Sequence, residues 1–233
     1  MSNELIFLVM LLIVFSSILM SFRFLGCLGL FVWIPITVIL ANIQVLKTVE
    51  FLGITATLGN ILYAGSFLIT DIMSEVYGKK TARTAVLIGF ITLIMTTIIM
   101  NLAIAFTPGS TDIAQPHIEA LFSFFPALTV ASLLAFGVSQ FHDIWSYDFW
   151  RKLRPELRFI WLRNNLSTLV SQLLDSFIFV CAATLFGIFS WSVFAEIFLS
   201  TWLIKALVSL LDTPFIWLAA WMNRHKKVRE VMP

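Results

Sequence analysis

The chain has 233 residues, of which 60% are hydrophobic and 12% are charged, and its mean hydropathy is +0.96. Soluble domains carry about 25% charged residues, so this composition excludes an ordinary soluble fold and indicates an integral membrane protein. The net charge of +2 gives no basis for nucleic-acid binding, and Cys27 and Cys181 have no further Cys or His at metal-ligand spacing. We therefore expect no metal site and no cofactor.

A membrane-spanning helix needs about 20 mostly apolar residues, and several segments of the chain reach that length. In chain order, we predict helices at residues 5–22, 29–46, 53–75, 84–106, 119–147, 165–188 and 194–222. These helices predict an all-α integral membrane protein, a bundle of six to seven transmembrane helices in a single domain over residues 1–233. The first segment lacks the basic start of a signal peptide, so we interpret it as a helix of the bundle.

Lys and Arg are concentrated in the segments that follow the third and fifth predicted helices and in the C-terminal tail. These residues are Lys79, Lys80 and Arg83; Arg151, Lys152, Arg154, Arg158 and Arg163; and Arg224, Lys226, Lys227 and Arg229. The segments at 108–119 and 187–192 contain neither residue type. Because basic loops stay in the cytoplasm, we predict an outside N-terminus, a cytoplasmic C-terminus and a multi-pass protein of the inner (cytoplasmic) membrane.

Ionisable and amide side chains also occur inside the predicted spans. Such a charged group costs at least about 2.5 to 3.5 kcal/mol in the hydrocarbon core, so it faces protein or a wet cavity. On the third helix the spacings of eleven and four residues place the polar groups along one stripe. The candidate substrate-binding residues are Asn60, Asp71 and Glu75 on the third helix, Gln140 and Asp143 on the fifth, Asn165, Gln172 and Asp175 on the sixth, and Lys205 on the seventh.

Structural roles remain open for several of these residues. The carboxylates near the basic loops could pair only with Lys79, Lys80 or Arg151; these carboxylates are Asp71, Glu75 and Asp143. Lys205 could form a structural ion pair with either Asp175 or Asp212.

The candidate residues indicate the kind of solute. Amides donate and accept hydrogen bonds, carboxylates accept them, and aromatic rings stack on flat ligands. The lining therefore suits a planar heterocycle with N–H groups on its edge. The expected partners are this small-molecule substrate and membrane lipid, with no nucleic acid, and the oligomeric state stays open, including a homo-oligomer.

Two segments of the third helix region carry a family resemblance. Residues 57–63 read TLGNILY and residues 67–83 read FLITDIMSEVYGKKTAR. Further matching positions are Gln140 with Asp143, the run WLRNNLST at 161–168, Gln172 with Asp175 and Ser176, and Lys205. Over roughly residues 32–222 the chain resembles the queuosine precursor transporter family, although its first helix is extra relative to six-helix members.

The resemblance implies import of 7-deazaguanines such as preQ0, preQ1 or queuine for tRNA modification. One carboxylate, Asp175 or Asp71, would accept the N1–H and 2-amino groups of the base in a two-point contact. Lys205 would neutralise that carboxylate in the empty site. The amides Asn60, Gln140, Asn165 and Gln172 would serve the carbonyl and the pyrrole edge.

Two alternative functions are compatible with the composition. The chain could be the substrate-capture subunit of an energy-coupling-factor vitamin transporter, which would need a partner ATPase. It could also be a membrane enzyme or an assembly factor, but it lacks the Ser–His arrangement, the His-Glu-x-x-His motif and the glycine-rich phosphate loop of common enzymes. We therefore expect no enzymatic activity.

A short internal similarity occurs at an offset of 72 residues. The sequence DIMS at 71–74 matches DIWS at 143–146, and both lie at predicted cytoplasmic helix ends. This match predicts a duplicated helix pair, as in many transporters, with chance similarity between apolar segments as the alternative.

Overall fold

The computed structural model describes residues 2–51 and 53–231, and within them helices make up most of the chain. Its elements are α1 Asn3–Leu25, α2 Cys27–Gln44, β1 Thr48–Phe51, β2 Ile54–Thr57, α3 Asn60–Val76, α4 Lys79–Ile104, α5 Gln115–Phe122, α6 Phe125–Leu153, α7 Ile160–Leu185 and α8 Phe194–Arg224. Single-turn 3-10 helices at Leu157–Phe159 and Trp191–Val193 precede α7 and α8. The predicted all-α membrane bundle is confirmed, with one two-stranded hairpin added.

Helix α3 is the central helix of this bundle. Six other helical segments among the described residues are long and apolar enough to span a membrane, whereas α3 has 17 residues, or about 25 Å. It packs against α1, α2, α4, α6 and α8, and most of its side chains are buried. Because protein and not lipid surrounds α3, this helix can carry polar residues that a lipid-facing helix excludes.

The connections between helices form two opposite faces. The first, which we call the basic face, holds the α1–α2, α3–α4 and α6–α7 turns and the C-terminal tail. In the tail, Arg229 N–H donates to the Arg23 carbonyl at 2.8 Å. Of the 15 Lys and Arg residues, all but Lys47 and Lys205 lie at this face. The second, the outer face, holds the N-terminus, the hairpin and the connections at 105–124 and 186–193. The two termini therefore lie on opposite faces, as the predicted topology requires.

The predicted helix at 53–75 begins instead at Asn60. The residues before it form the antiparallel hairpin β1–β2, in which Thr48 pairs with Thr57. Gly53 turns the hairpin with a φ of +76°, which glycine adopts without steric cost. β-Branched residues, which favour strands, are frequent on both sides of this turn, and an apolar window alone does not distinguish such a strand from a helix.

The predicted helix at 119–147 is divided between α5 and α6, which are separated at Ser123 and Phe124. Pro126 lies in the first turn of α6, where its missing N–H costs no helix hydrogen bond and its fixed φ suits helix initiation. The other spans differ mainly at their polar ends: α4 begins at Lys79 and α7 at Ile160, about five residues before the predicted starts. The first turns of α4 and α7 contain polar residues, so a search for apolar stretches does not include them in the predicted helix.

Candidate functional site

A cavity enters the bundle from the outer face, between α2, α3, α6, α7 and α8. It contains about 530 Å³ of space between atoms, counting its open mouth. Most of its wall surface is apolar and includes the aromatic rings of Phe179 and Phe189. Its polar lining includes Asn42, Asn60, Tyr63, Asp175 and Lys205.

An ion pair between Lys205 and Asp175 forms the base of the cavity. Lys205 Nζ lies 2.5 Å from Asp175 Oδ2. The other carboxylate oxygen accepts hydrogen bonds from Tyr63 Oη at 2.5 Å and Ser139 Oγ at 3.1 Å, and the Lys205 ammonium lies 4.4 Å from the centre of the Tyr63 ring. Buried charges are tolerated when they are paired and hydrogen-bonded, and here four helices contribute to one pair. Of the two pairings left open by the sequence, the structure contains Lys205–Asp175.

Two cavity amides differ in their hydrogen bonding. Asn42 is held in place, because its Nδ2 donates to the Val38 carbonyl at 2.9 Å and its Oδ1 accepts from Ser132 Oγ at 2.9 Å. Asn60 is 3% exposed, and its Nδ2 has no acceptor. An unpaired buried donor is costly, so Asn60 Nδ2 is a donor available to a molecule in the cavity.

Three carboxylates converge deeper in the bundle, and we call them the acidic cluster: Asp71 of α3, Asp143 of α6 and Asp212 of α8. All three are fully buried. Thr168 Oγ1 donates to Asp71 Oδ2 at 3.4 Å, and Asn164 Nδ2 donates to Asp212 Oδ1 at 2.6 Å. Among the described residues, no Lys, Arg or His nitrogen lies within 4.0 Å of these carboxylates.

Two glutamines are buried near the acidic cluster with unused hydrogen-bonding atoms. Gln140 Oε1 accepts from Thr70 Oγ1 at 3.0 Å, while its Nε2 has no partner. Neither polar atom of the Gln172 side chain has a partner. Gln172 lies on α7 four residues after Thr168 and three before Asp175, so it occupies the level between the acidic cluster and the base of the cavity.

An ion cluster closes the polar interior at the basic face. Glu75 Oε2 lies 2.8 Å from Arg163 Nη2 and 3.8 Å from Arg151 Nε, and Tyr147 Oη donates to the same oxygen at 3.3 Å. The contact between Arg163 Nη2 and Glu75 is an ion pair without a hydrogen bond, since no N–H bond of that nitrogen points at an acceptor. Arg163 is fully buried, and its Nη1 donates to the Arg154 carbonyl at 2.9 Å. The interior is thus open toward the outer face and closed toward the basic face.

The structure distributes the sequence-predicted residues over three depths. Helical periodicity places Asn60, Asp71 and Glu75 on one buried stripe of α3, but Asn60 and Glu75 are separated by about 22 Å along the helix. Asn165 lies apart from the stripe, because its Nδ2 bonds the Trp161 carbonyl at 2.6 Å and Thr213 Oγ1 at 3.2 Å. The groups are Asn60, Asp175 and Lys205 at the cavity; Asp71, Gln140, Asp143 and Gln172 in the middle; Glu75 at the basic face; and Asn165 toward α8.

The sequence left open that Asp71, Glu75 and Asp143 pair only with cations of the basic loops. Only Glu75 pairs with one of them. Glu75 pairs with Arg151, one of the expected loop cations, and also with Arg163. Asp71 and Asp143 pair with neither Lys79, Lys80 nor Arg151 among the described contacts. These two carboxylates therefore require another explanation.

The sequence candidates did not include Asn42 and Tyr63, which line the cavity, or Ser139, which donates to Asp175. Tyr63 follows Asn60 by three residues and so shares its helix face, which is a signal that could have identified it. Asn42 is an amide in an otherwise apolar span, and such residues are commonly functional or interhelical. Ser139 has no comparable signal, because single hydroxyls are frequent in membrane helices and bond their own backbone.

Comparisons with known proteins cover the residues that form this site. Residues 57–219 match the model of a family described as "Putative vitamin uptake transporter". A protein of Bacillus subtilis (strain 168) named "Probable queuosine precursor transporter" is 46% identical over 208 residues, which are 89% of this chain and 90% of that protein. No solved structure matches the chain. Together with the spanning helices, these matches make the chain a multi-pass cell-membrane protein that belongs to the putative vitamin uptake transporter family.

Proposed function

We propose that the chain is a transporter, and not an enzyme, that imports a queuosine precursor of the 7-deazaguanine class across the cell membrane. The observation that carries this proposal is the buried Asp175 at the base of a cavity that opens on the outer face. The name of the Bacillus subtilis relative supplies the substrate class.

The cavity offers groups that complement such a base. A 7-deazaguanine presents N1–H and a 2-amino group side by side, which one carboxylate can accept together in a charge-assisted contact. Asp175 is the carboxylate that we expect to make this contact, and the free Nδ2 of Asn60 would donate to the neighbouring carbonyl of the base. Phe179 and Phe189 would pack on the ring faces.

Binding of the base requires a change around Asp175. A carboxylate has about four acceptor positions, and Tyr63, Ser139 and Lys205 already use three of them. Two incoming N–H groups therefore displace at least one donor. Lys205 has the longest and most flexible side chain of the three, so we expect its ammonium to move while the hydroxyl groups continue to hold the carboxylate in place.

Import also requires the polar interior to open at the opposite end. The cavity faces outward, and the Glu75–Arg163 ion cluster closes the basic face. Alternating access commonly proceeds by movement of one helix group against another around a fixed site. We therefore expect the Glu75–Arg163 pair to separate when the base is released to the cytoplasm.

The test is rescue of a bacterial strain that cannot synthesise queuosine precursors. Cells expressing the chain are supplied with preQ0, preQ1 or queuine at low concentration, and queuosine in tRNA is measured. We expect rescue by the wild type and loss of rescue by Asp175→Asn. The matched control is Asp148→Asn, because Asp148 pairs with Lys79 near the surface of the basic face at 3.0 Å. Absence of rescue by wild-type protein that is present in the membrane would contradict the proposal.

A second measurement distinguishes the alternative functions. Purified chain in liposomes takes up labelled base without any ATPase if it is a transporter by itself, whereas a substrate-capture subunit binds the base but does not move it. The mass of the recovered base separates transport from chemistry. An altered mass would indicate an enzyme.

A further inference from the structure

The acidic cluster is not used in the binding contacts proposed above. It lies below the cavity: Asp71 follows Asn60 by eleven residues on α3, which is about 16 Å along the helix. Asp71 and Asp143 face each other across the α3–α6 interface, close enough to share a proton. The hydroxyl groups of Ser167, Thr168 and Ser171 lie beside Asp143, but neither Asp143 oxygen has a well-aligned hydrogen bond, and one oxygen of Asp71 also lacks one.

Amide atoms beside the cluster lack partners as well. Asn164 donates its Nδ2 to Asp212, yet its Oδ1 is buried without a donor, and Asn164 itself is fully buried. The fully buried Gln172, on the same face of α7, has two unpartnered atoms. The unpartnered donors near the cluster, Gln140 Nε2 and Gln172 Nε2, do not bond the carboxylates, so a proton on one of the two carboxyl groups would supply a hydrogen between them.

Five titratable groups surround the Asp71–Asp143 pair on the elements packed around it: Asp212 on α8, Tyr147 and His142 on α6, Glu75 on α3 and Arg163 on α7. His142 reaches the pair only through Ser171, at 2.9 Å, and Arg163 pairs with Glu75. None of the five brings a positive charge within 4.0 Å of either carboxylate. Two adjacent carboxylates without a cation cannot both remain ionised inside a membrane protein, so the pair holds at least one proton.

A metal cation fits this cluster less well than a proton does. The described residues contain no group of three or more His, Cys, Asp or Glu arranged to hold a metal ion. Sodium sites in transporters also use carbonyl oxygens from interrupted helices, whereas α3, α6 and α7 run unbroken through this level. A proton needs only the two carboxylates.

Polar side chains connect the pair to both ends of the interior. Toward the cavity, Asp143 lies one helical turn from Ser139, which bonds Asp175 at 3.1 Å, and Gln172 lies between the two levels on α7. Toward the basic face, Tyr147 lies one turn beyond Asp143 and bonds Glu75 at 3.3 Å. A proton entering from the cavity therefore meets polar groups at each turn.

We propose that Asp71 and Asp143 form the proton site that couples import of the base to inward movement of a proton. The coupling rests on the proposed transport function. In the outward-open state the pair takes a proton through the cavity, and in the inward-open state it releases that proton to the cytoplasm along with the base. The carboxyl O–H bond that forms on the outward-open side breaks again on the inward-open side, the base is chemically unchanged, and one proton crosses the membrane for each base.

The test uses purified chain in liposomes with labelled preQ0, which is uncharged near neutral pH, and with the membrane potential clamped. Counterflow, the exchange of outside label for unlabelled base inside without any gradient, reports transport alone. A gradient of one pH unit, acid outside, is then expected to drive accumulation of up to about tenfold, since one proton moving down it supplies a factor of ten. A protonophore is expected to abolish this accumulation.

Variants test whether Asp71 and Asp143 are the proton site. Asp143→Asn is expected to lower gradient-driven accumulation at least ten times more than it lowers counterflow, with Asp148→Asn as the matched control on the same helix. As a readout that needs no variant, dicyclohexylcarbodiimide reacts with buried protonated carboxyl groups. Mapping by mass spectrometry is expected to find the adduct on Asp71 or Asp143 of the wild type and not on Asp148.

Each outcome has one meaning. Absence of counterflow overturns the transport function itself. Counterflow without pH-driven accumulation, or accumulation driven by a sodium gradient instead, overturns proton coupling and leaves transport standing. Full accumulation by folded Asp143→Asn, or an unmodified Asp71–Asp143 pair after carbodiimide treatment, places the proton site elsewhere.

Discussion

At the residue scale, Asp175 and Lys205 show how a membrane interior can hold a charged pair. Each of the two side chains is almost fully buried, and the carboxylate receives hydroxyl donors from two further helices. Removing one partner of such a pair leaves an uncompensated buried charge, which costs more than the pair itself contributes. The stability of the pair and its availability to a ligand are therefore linked.

Lys205→Met should be strongly destabilising, by about 3 to 5 kcal/mol, because it leaves Asp175 without its counter-charge. Lys79→Met, which breaks the 3.0 Å surface pair with Asp148, should cost about 0 to 1 kcal/mol. Thermal unfolding in detergent compares the two variants. The double variant Lys205→Met with Asp175→Asn should be more stable than Lys205→Met alone, and a double variant as unstable as the sum of its singles would show that the two charges are not coupled.

Tyr63→Phe isolates the hydroxyl group that orients Asp175. The ring stays in place, while the 2.5 Å hydrogen bond to the carboxylate is lost. Hydrogen bonds to charged groups are worth about 1.5 to 3 kcal/mol, so we expect at least about tenfold weaker binding of the base, measured by calorimetry. Tyr147→Phe is the control, since its hydroxyl bonds Glu75 at the basic face; equal losses in both variants would indicate a general effect on the fold.

At the element scale, the position of α3 depends on a close approach to α2. A Cβ placed at Gly59 would lie 2.5 Å from the Ala41 carbonyl oxygen. That oxygen belongs to a helix backbone and cannot rotate away. The absence of a side chain at Gly59 therefore allows the first turn of α3, which carries Asn60, to reach the rim of the cavity.

Gly59→Ala should accordingly push α3 from α2 and destabilise the protein by about 1 to 3 kcal/mol, the usual cost of overpacking. Gly109→Ala is the matched control, because a Cβ there meets nothing within 4 Å. Thermal unfolding measures stability, and base-induced stabilisation reports whether Asn60 still reaches the ligand. An unchanged melting temperature for Gly59→Ala would show that the two helices separate without cost.

Sequence periodicity predicted the angular position of the polar residues better than their partners. It placed Asn60, Asp71 and Glu75 on one face of α3, but it did not indicate that each belongs to a different site. Which side chains contact each other depends on how far neighbouring helices are shifted along their axes. The sequence of one helix does not determine that shift. Asn164 and Asn165 illustrate the limit. Adjacent helix residues point about 100° apart, yet both donate to Thr213 Oγ1, and Asn164 also bonds Asp212.

The elements themselves were predictable wherever lipid contact makes hydropathy informative. The long spans were found, because their lipid-facing residues must be apolar. The hairpin β1–β2 and the division between α5 and α6 were missed, since both lie at the outer face, where turn chemistry decides the structure. The short α3 was found from the apolar stretch at 53–75, whose first residues belong instead to the hairpin.

At the scale of the whole molecule, the internal similarity at an offset of 72 residues corresponds to residues that meet. Asp71 and Asp143 face each other, and Glu75 contacts Tyr147, its equivalent at the same offset, at 3.3 Å. Helices α3 and α6 both run from the outer face to the basic face. Parallel repeats related by an axis along the membrane normal bring equivalent positions together in this way, so a duplication would explain why two carboxylates share one buried site.

The orientation of the bundle decides whether the cavity can receive a solute from outside. Because nearly all Lys and Arg lie at the basic face, that face should be cytoplasmic. In a background with both native cysteines replaced by serine, a membrane-impermeant maleimide should label Gly109→Cys in intact cells and Lys80→Cys only after permeabilisation. Both positions are exposed, so accessibility reports sidedness alone. The reverse pattern would turn the cavity toward the cytoplasm, and Asp175 would then meet the base only on the side where import ends.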